Sequence, residues 1–200
     1  ALSMADALVF NTQRTMVAVV VLFSVLAARR GPLWPQSWLA VTVTGLLQVS
    51  VNFLATAMAL VEGGAGRTAV LVFTMPFWTL LLAWPLLGER PRGAQWLAIA
   101  LAFVGLTLIV APWSWEGDLA SKGYAVLGGF GWAAAAVATK RFQRERKFDP
   151  VNFTAWHLAI GLLPLLVISA LRTAPPPPTS PAYLLLLGYA GVVSIAIAWL

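Results

Sequence analysis

Five consecutive polar residues, Asn11-Thr12-Gln13-Arg14-Thr15, interrupt an apolar run near the start of the chain. A guanidinium among apolar residues is a permanently charged hydrogen-bond donor, suited to a carboxylate or another anion. In a second apolar run Thr44, Gln48, Asn52 and Thr56 recur at every fourth position. On a helix that spacing puts two amides and two hydroxyls on one slanted face, able to hydrogen-bond a polar solute. The only histidine, His157, follows Trp156 in a third run, and an imidazole titrates near neutrality and can relay protons. Trp78 and Trp132 place large flat rings in two further runs, where they can stack on an apolar or planar solute.

Every one of these residues also has a structural reading. Arg14 can pair with a carboxylate such as Asp6 or one on a missing span, or reach outward to the headgroups of a membrane. The stripe of amides and hydroxyls can join neighbouring helices, and His157 can hydrogen-bond across them. Lipid contact is the competing role for the tryptophans. The candidate binding set is Asn11, Arg14, Gln48, Asn52, Trp78, Trp132, Trp156 and His157. The sequence holds no H-E-x-x-H motif, phosphate loop, G-x-S-x-G elbow, cysteine or carboxylate pair within an apolar run. No catalytic residue, metal site or cofactor is therefore expected.

The elements that must position these groups are set by composition. Hydrophobic residues make up 60% of the chain and charged ones 10%, against about 25% charged in a soluble domain. Seven apolar stretches lie near 5–28, 37–60, 68–87, 93–111, 121–140, 150–171 and 182–200. Each approaches the ~20 helical residues that cross a bilayer core. Strand-like alternation is absent, so the expected fold is an all-α, polytopic membrane helix bundle. Pro76 should kink the third span and free a carbonyl beside it. Ala94, Ala98, Ala102 and Gly105 read as a packing face on the fourth. Gly123, Gly128, Gly129, Gly131 and Ala133 to Ala136 read as tight packing on the fifth, near the bundle core.

Nine of the thirteen Lys and Arg fall in alternate connections: Arg29 and Arg30; Arg90 and Arg92; Lys140, Arg141, Arg144, Arg146 and Lys147. The positive-inside rule places these connections in the cytoplasm and explains the net charge of +6 without nucleic acid. The expected partners are the lipid bilayer and a small-molecule substrate. Trp34 and Trp38 at one predicted interface, and Trp113 and Trp115 at the other, read as headgroup anchors. Pro175 to Pro178 form a stiff polyproline loop on the outside.

An internal comparison gives these spans an order. A shift of 146 positions brings Pro35 onto Pro181, Gly45 onto Gly191 and Leu46–Leu54 onto Val192–Leu200, and it brings Phe10-Asn11 onto Trp156-His157. The matched spans are five apart, an odd period, so the copies cross in opposite directions. The first span begins almost at residue 1 and the last is still apolar at Leu200, so both ends read as cut. Five-span units imply ten spans, the first unit lacking its first and the second its last two.

Pro76, then Gly88-Glu89-Arg90, Gln95-Trp96 and the helix bearing Gly105 resemble the end of the first repeat of the drug/metabolite transporter superfamily, in its EamA-type branch. Gly131-Trp132, Asp149-Pro150 and Trp156 resemble the start of the second repeat. The likeness covers nearly the whole chain. It implies ten helices in two inverted five-helix repeats with a central cavity. Here the first repeat would be 1–112, an external linker 113–122 and the second repeat 123–200. The implied function is secondary transport, often export of amino acids or related metabolites, at a bacterial inner membrane. A membrane scaffold or an intramembrane enzyme is the alternative. The resemblance also implies a peripheral fourth span. Glu89, at a cytoplasmic helix end, is expected to pair with Arg90 or Arg92.

Overall fold

The computed structural model describes residues 6–110, 119–172 and 177–199. Trp113, Trp115, most of the linker 113–122, Pro175, Pro176 and Leu200 lie wholly or partly outside those limits. Among the described residues the chain is helical throughout, arranged as seven rods. Helix α1 (Ala7–Ala28) starts at Asp6, whose Oδ1 accepts from the amides of Leu8 and Val9 at 2.9 and 3.2 Å. That contact satisfies two of the donors a helix start leaves open. The second rod is α2 (Trp38–Gly45), a π-helical segment π1 (Leu46–Val51) and α3 (Asn52–Gly63). The third is α4 (Ala65–Val72) and α5 (Met75–Leu87). Helices α6 (Gln95–Val110), α7 (Leu119–Glu145) and α8 (Pro150–Leu171) follow. The last rod joins α9 (Pro181–Gly188) to a second π-helical segment, π2 (Tyr189–Ile197).

Four rods are long and apolar enough to cross a membrane by length and composition: Ala7–Ala28, Trp38–Val61, Ala65–Leu87 and Pro150–Leu171. Helix α7 has the length, but its glycines and the charged residues near its two ends lower its hydropathy. Leucines along α6, α8 and α9 point away from the protein; Leu171 and Leu185 are 80% and 75% exposed. Hydrocarbon is the environment in which such outer faces are stable. The chain is an integral membrane protein.

The third rod breaks at Phe73 and Thr74, just ahead of Pro76. Proline has no N–H, so Val72 loses the donor that would normally bond its carbonyl four residues on. That carbonyl faces α7, 2.7 Å from where a Cβ on Gly129 would stand. Helix α7 packs against the second and third rods, in contact with α2, π1, α3, α4 and α5. Its glycines make this possible: a Cβ on Gly131 would lie 3.0 Å from the Leu47 carbonyl oxygen. The outer helix α6 behaves differently from its expected packing role. Ala94 and Ala98 are exposed, and a Cβ on Gly105 would meet nothing within 4 Å. Instead α6 meets the bundle partly through an edge-to-face pair of Phe77 and Phe103, 5.6 Å apart. Small residues permit close approach but do not require it.

All three basic connections lie at one end. Arg146 donates to the Gln36 carbonyl at 3.2 Å, and the Asp149 amide donates to Gln36 Oε1 at 2.7 Å. Lys140 and Arg144 both bind the Glu89 carboxylate. At the opposite end Arg172 lies 3.9 Å from Asp6. Thus α1 and α8 run antiparallel, and they pack along their length.

Candidate functional site

Between the middle of the bundle and the end marked by Asp6 lies a half-open cavity of about 380 Å³. Helix α1 gives it Ala7, Phe10, Asn11 and Arg14; the second rod gives Gln48, Asn52, Phe53, Thr56 and Leu60. Val72, Trp132, Ser194, Ile195 and Trp199 complete the wall. No residue of the basic connections takes part. The volume suits a small solute.

On α1 the polar run divides by what each side chain already holds. Thr12 and Thr15 donate back to the carbonyls of Leu8 and Asn11 at 2.8 and 2.7 Å, a common way for hydroxyls to satisfy themselves on a helix. Gln13 accepts from the Tyr183 hydroxyl. Asn11 has only a long contact, 3.5 Å, to the Phe53 carbonyl. Arg14 makes no hydrogen bond or ion pair among the described residues, and its Nε is buried. The guanidinium carbon stands 4.9 Å from the centre of the Phe53 ring, within the range of a cation–π contact.

On the second rod the stripe is partly consumed. Thr44 donates to the Ala40 carbonyl at 2.7 Å and is buried away from the cavity. Thr56 donates to Asn52 Oδ1 at 3.2 Å, and Gln48, Asn52 and Thr56 face the cavity together. The wide turn of π1 carries Gln48. Such segments are frequent at functional sites because they break the regular ladder.

Asn11, Arg14, Gln48, Asn52 and Trp132 are therefore brought together, and three candidates are not. Trp78 donates to Thr74 Oγ1 at 3.2 Å and sets its edge against Phe130. Trp156 donates to the Leu33 carbonyl at 2.8 Å, with Phe23 and Trp38 each 5.3 Å away, near the basic end. His157 contacts the Phe153 carbonyl through Nδ1 at 3.2 Å and stacks on Trp199 at 5.6 Å, one ring behind the cavity wall.

Reading side chains by polarity missed Phe10, Phe53, Ser194 and Trp199. The internal shift of 146 contained a signal for two of them, since it sets Ser194 on Gln48 and Trp199 on Phe53. Both matched pairs line the same cavity, and the Phe53 and Trp199 rings are 5.8 Å apart. The same shift maps the Asn11–Phe53 contact onto the His157–Trp199 contact. It also maps π1 onto the region of π2, and the glycine Gly45 onto Gly191. A Cβ on Gly45 would lie 2.3 Å from the His157 carbonyl oxygen, and one on Gly191 would lie 2.8 Å from that of Arg14. Each glycine lets its rod cross the other's partner closely.

Glu89 departs from its expected pairing. Gly88, at φ 69°, ends α5 in the left-handed conformation that glycine favours. Glu89 then reaches Lys140 at 2.8 Å and Arg144 on α7, while Arg90 lies over the Trp84 ring at 5.3 Å. The hydrogen bond from Lys140, aided by the charges of Lys140 and Arg144, holds the carboxyl below the usual glutamate range.

The profile of the EamA-like transporter family matches residues 1–111 and 122–200. The chain belongs to that family. Two uncharacterized transporters of Synechocystis are each 31% identical to it, over 60% and 59% of this chain and 41% and 33% of their own lengths. A riboflavin transporter of Rhizobium johnstonii is 34% identical over 47% of this chain and 30% of its own length. The chain thus spans less than half of each of these relatives. No solved structure matches it.

Proposed function

We propose that this chain forms part of a secondary transporter that exports small metabolites, such as amino acids or related compounds, from the cytoplasm of a bacterium by alternating access. The observation that carries the reading is the half-open cavity, where Arg14, Gln48 and Asn52 converge inside otherwise apolar rods. Polar groups in hydrocarbon are costly unless they meet a partner or a wet passage. The family membership and the names of the relatives support the same reading.

Two inverted repeats, 1–112 and 123–200, fit the matched glycine crossings and the paired π segments. Rocking one repeat against the other would expose a midplane site to each side in turn. The basic end is read as the cytoplasmic one by its arginines and lysines, and the cavity lies toward the opposite end.

The full-length protein in liposomes tests this. Counterflow of labelled amino acids across the membrane is expected, falling at least tenfold in Asn52→Leu while insertion and yield are unchanged. Absence of exchange for any of a broad set of metabolites would indicate a scaffold or an enzyme instead.

A further inference from the structure

We propose that the cavity is a carboxylate site: Arg14 binds the carboxylate of a small organic acid whose flat or apolar body lies against Phe10, Phe53, Trp132 and Trp199. The inference rests on the transport reading for its biological meaning, but its chemistry stands on the cavity alone.

Arg14 is the sole Lys or Arg on the cavity wall, and no Asp or Glu stands there among the described residues. The nearest acid along its own helix is Asp6, two turns away. Its carboxylate is already engaged, with one oxygen capping α1 and the other facing Arg172. Pairing of Arg14 with that carboxylate is therefore not what the structure contains. Nor does Arg14 reach outward, because its Nε is buried and its guanidinium is held over Phe53 inside the bundle. A half-buried guanidinium, its Nε out of reach of water and its fork facing the cavity, has five donors and no acceptor and favours an anion. The planar fork matches the two oxygens of a carboxylate, and Asn11 and Gln48 add neutral donors beside it.

The same inventory does not require a second charge on the solute. An amino acid carries an ammonium as well, and amide and hydroxyl oxygens and aromatic faces, but no charged group among the described residues, are at hand to receive it. The wall offers no carboxylate among its described residues, so a plain organic acid satisfies it as well as the matching zwitterion does. The four aromatic rings favour a substituent with a π-face over a short polar chain.

The test uses the purified full-length protein and four probes of one size: 3-phenylpropionate, its amide, phenylalanine and phenethylamine. Binding is followed by isothermal calorimetry and by quenching of tryptophan emission. The acid is expected to bind at least tenfold more tightly than the amide, and phenethylamine more weakly still. Arg14→Gln should remove the preference for acid over amide. Arg14→Lys should retain part of it, because a point charge keeps attraction but loses the fork, and it serves if the Gln variant does not fold. Equal affinity for acid and amide would overturn the proposal, as would a preference unchanged in Arg14→Gln. Phenylalanine binding tenfold more tightly than 3-phenylpropionate would show an ammonium partner and overturn the organic-acid assignment. These outcomes separate from the transport reading. Carboxylate-selective binding without counterflow leaves the site and removes the carrier, whereas flux of neutral solutes with no acid preference does the reverse.

Discussion

The two ends of this bundle use the same kinds of residue in opposite ways. At the basic end most polar side chains are consumed by backbone and by one another, with Asn152 Oδ1 an exception. Asn152, fully buried, donates to the carbonyls of Pro32 and Trp34 at 2.6 and 3.0 Å, and Gln36 links to Arg146 and Asp149. Glu89 ties α5 to α7 through Lys140 and Arg144. In the half toward Asp6, Arg14 makes no hydrogen bond or ion pair among the described residues, and Asn11 and Gln48 face a cavity. Saturated polar groups close a structure, and unsatisfied ones mark where something else must bind.

The largest effect should come from breaking the closed half at its tightest point. A Cβ on Gly161 would lie 2.3 Å from the Gly45 carbonyl oxygen and 2.5 Å from Val49 Cβ. Backbone on one side and a branched side chain on the other leave no flexible group to move aside. Overpacking of this kind costs about 1–3 kcal/mol and sometimes more. Gly161→Val is expected to lower the melting temperature sharply or to prevent a monodisperse preparation. A variant as stable as the parent would show that the crossing is looser than described.

A smaller effect on the same half is expected from Asn152→Leu. The change leaves two carbonyls in the loop after α1 without their donor; both belong to exposed residues, so water can replace it in part and the cost for each lies below the ~1–3 kcal/mol of a fully buried group. One of the asparagine's own atoms, Oδ1, is already unpaired and buried, so removing it offsets part of the loss. Thermal unfolding should show destabilisation clearly below that of Gly161→Val. Proteolysis should strike the 29–37 segment earlier than in the parent. Unchanged cleavage there would mean that Asn152 does not hold the loop.

The closed half was the harder one to read from sequence. The rods themselves were legible, because seven apolar runs and alternating basic connections leave few alternatives. Arg14, Gln48 and Asn52 were legible as neighbours of one space, because hydrocarbon makes each of them conspicuous. What joins Glu89 to α7 was not. Its nearest charges in sequence are Arg90 and Arg92, while its partners lie more than fifty positions away and are set by the turn at Gly88. His157 and Trp156 were conspicuous for the same reason as Arg14, yet their polar atoms meet main-chain carbonyls. Polarity in a membrane span shows that a partner exists, not whether the partner is protein or solute. Most of the aromatic wall was silent by polarity, and only the internal repeat carried a signal for Trp199.

The smallest expected effect tests whether the ionic tie at the basic end contributes at all. Glu89 and its partners are partly exposed, so solvent and salt weaken the attraction. Lys140 and Arg144 lower the pKa of the Glu89 carboxyl in the folded protein. A carboxylate of that kind stabilises the fold above its unfolded pKa, about 4.3 for glutamate. The contribution is lost as pH falls from there through the depressed folded value. Glu89→Gln should therefore be slightly less stable than the parent at pH 7 and low salt. The gap should narrow in high salt and close in acid, below the ordinary glutamate range. If the tie also holds α5 to α7 during transport, Glu89→Gln should expose the basic end more often. An introduced cysteine at Ser50, in a chain that has none of its own, would then be labelled faster from that side. Ser50 is buried and donates to the Gly161 carbonyl at 2.8 Å, so it reports separation of π1 from α8. A gap that persists unchanged in acid would mean that Glu89 acts through its shape and not its charge.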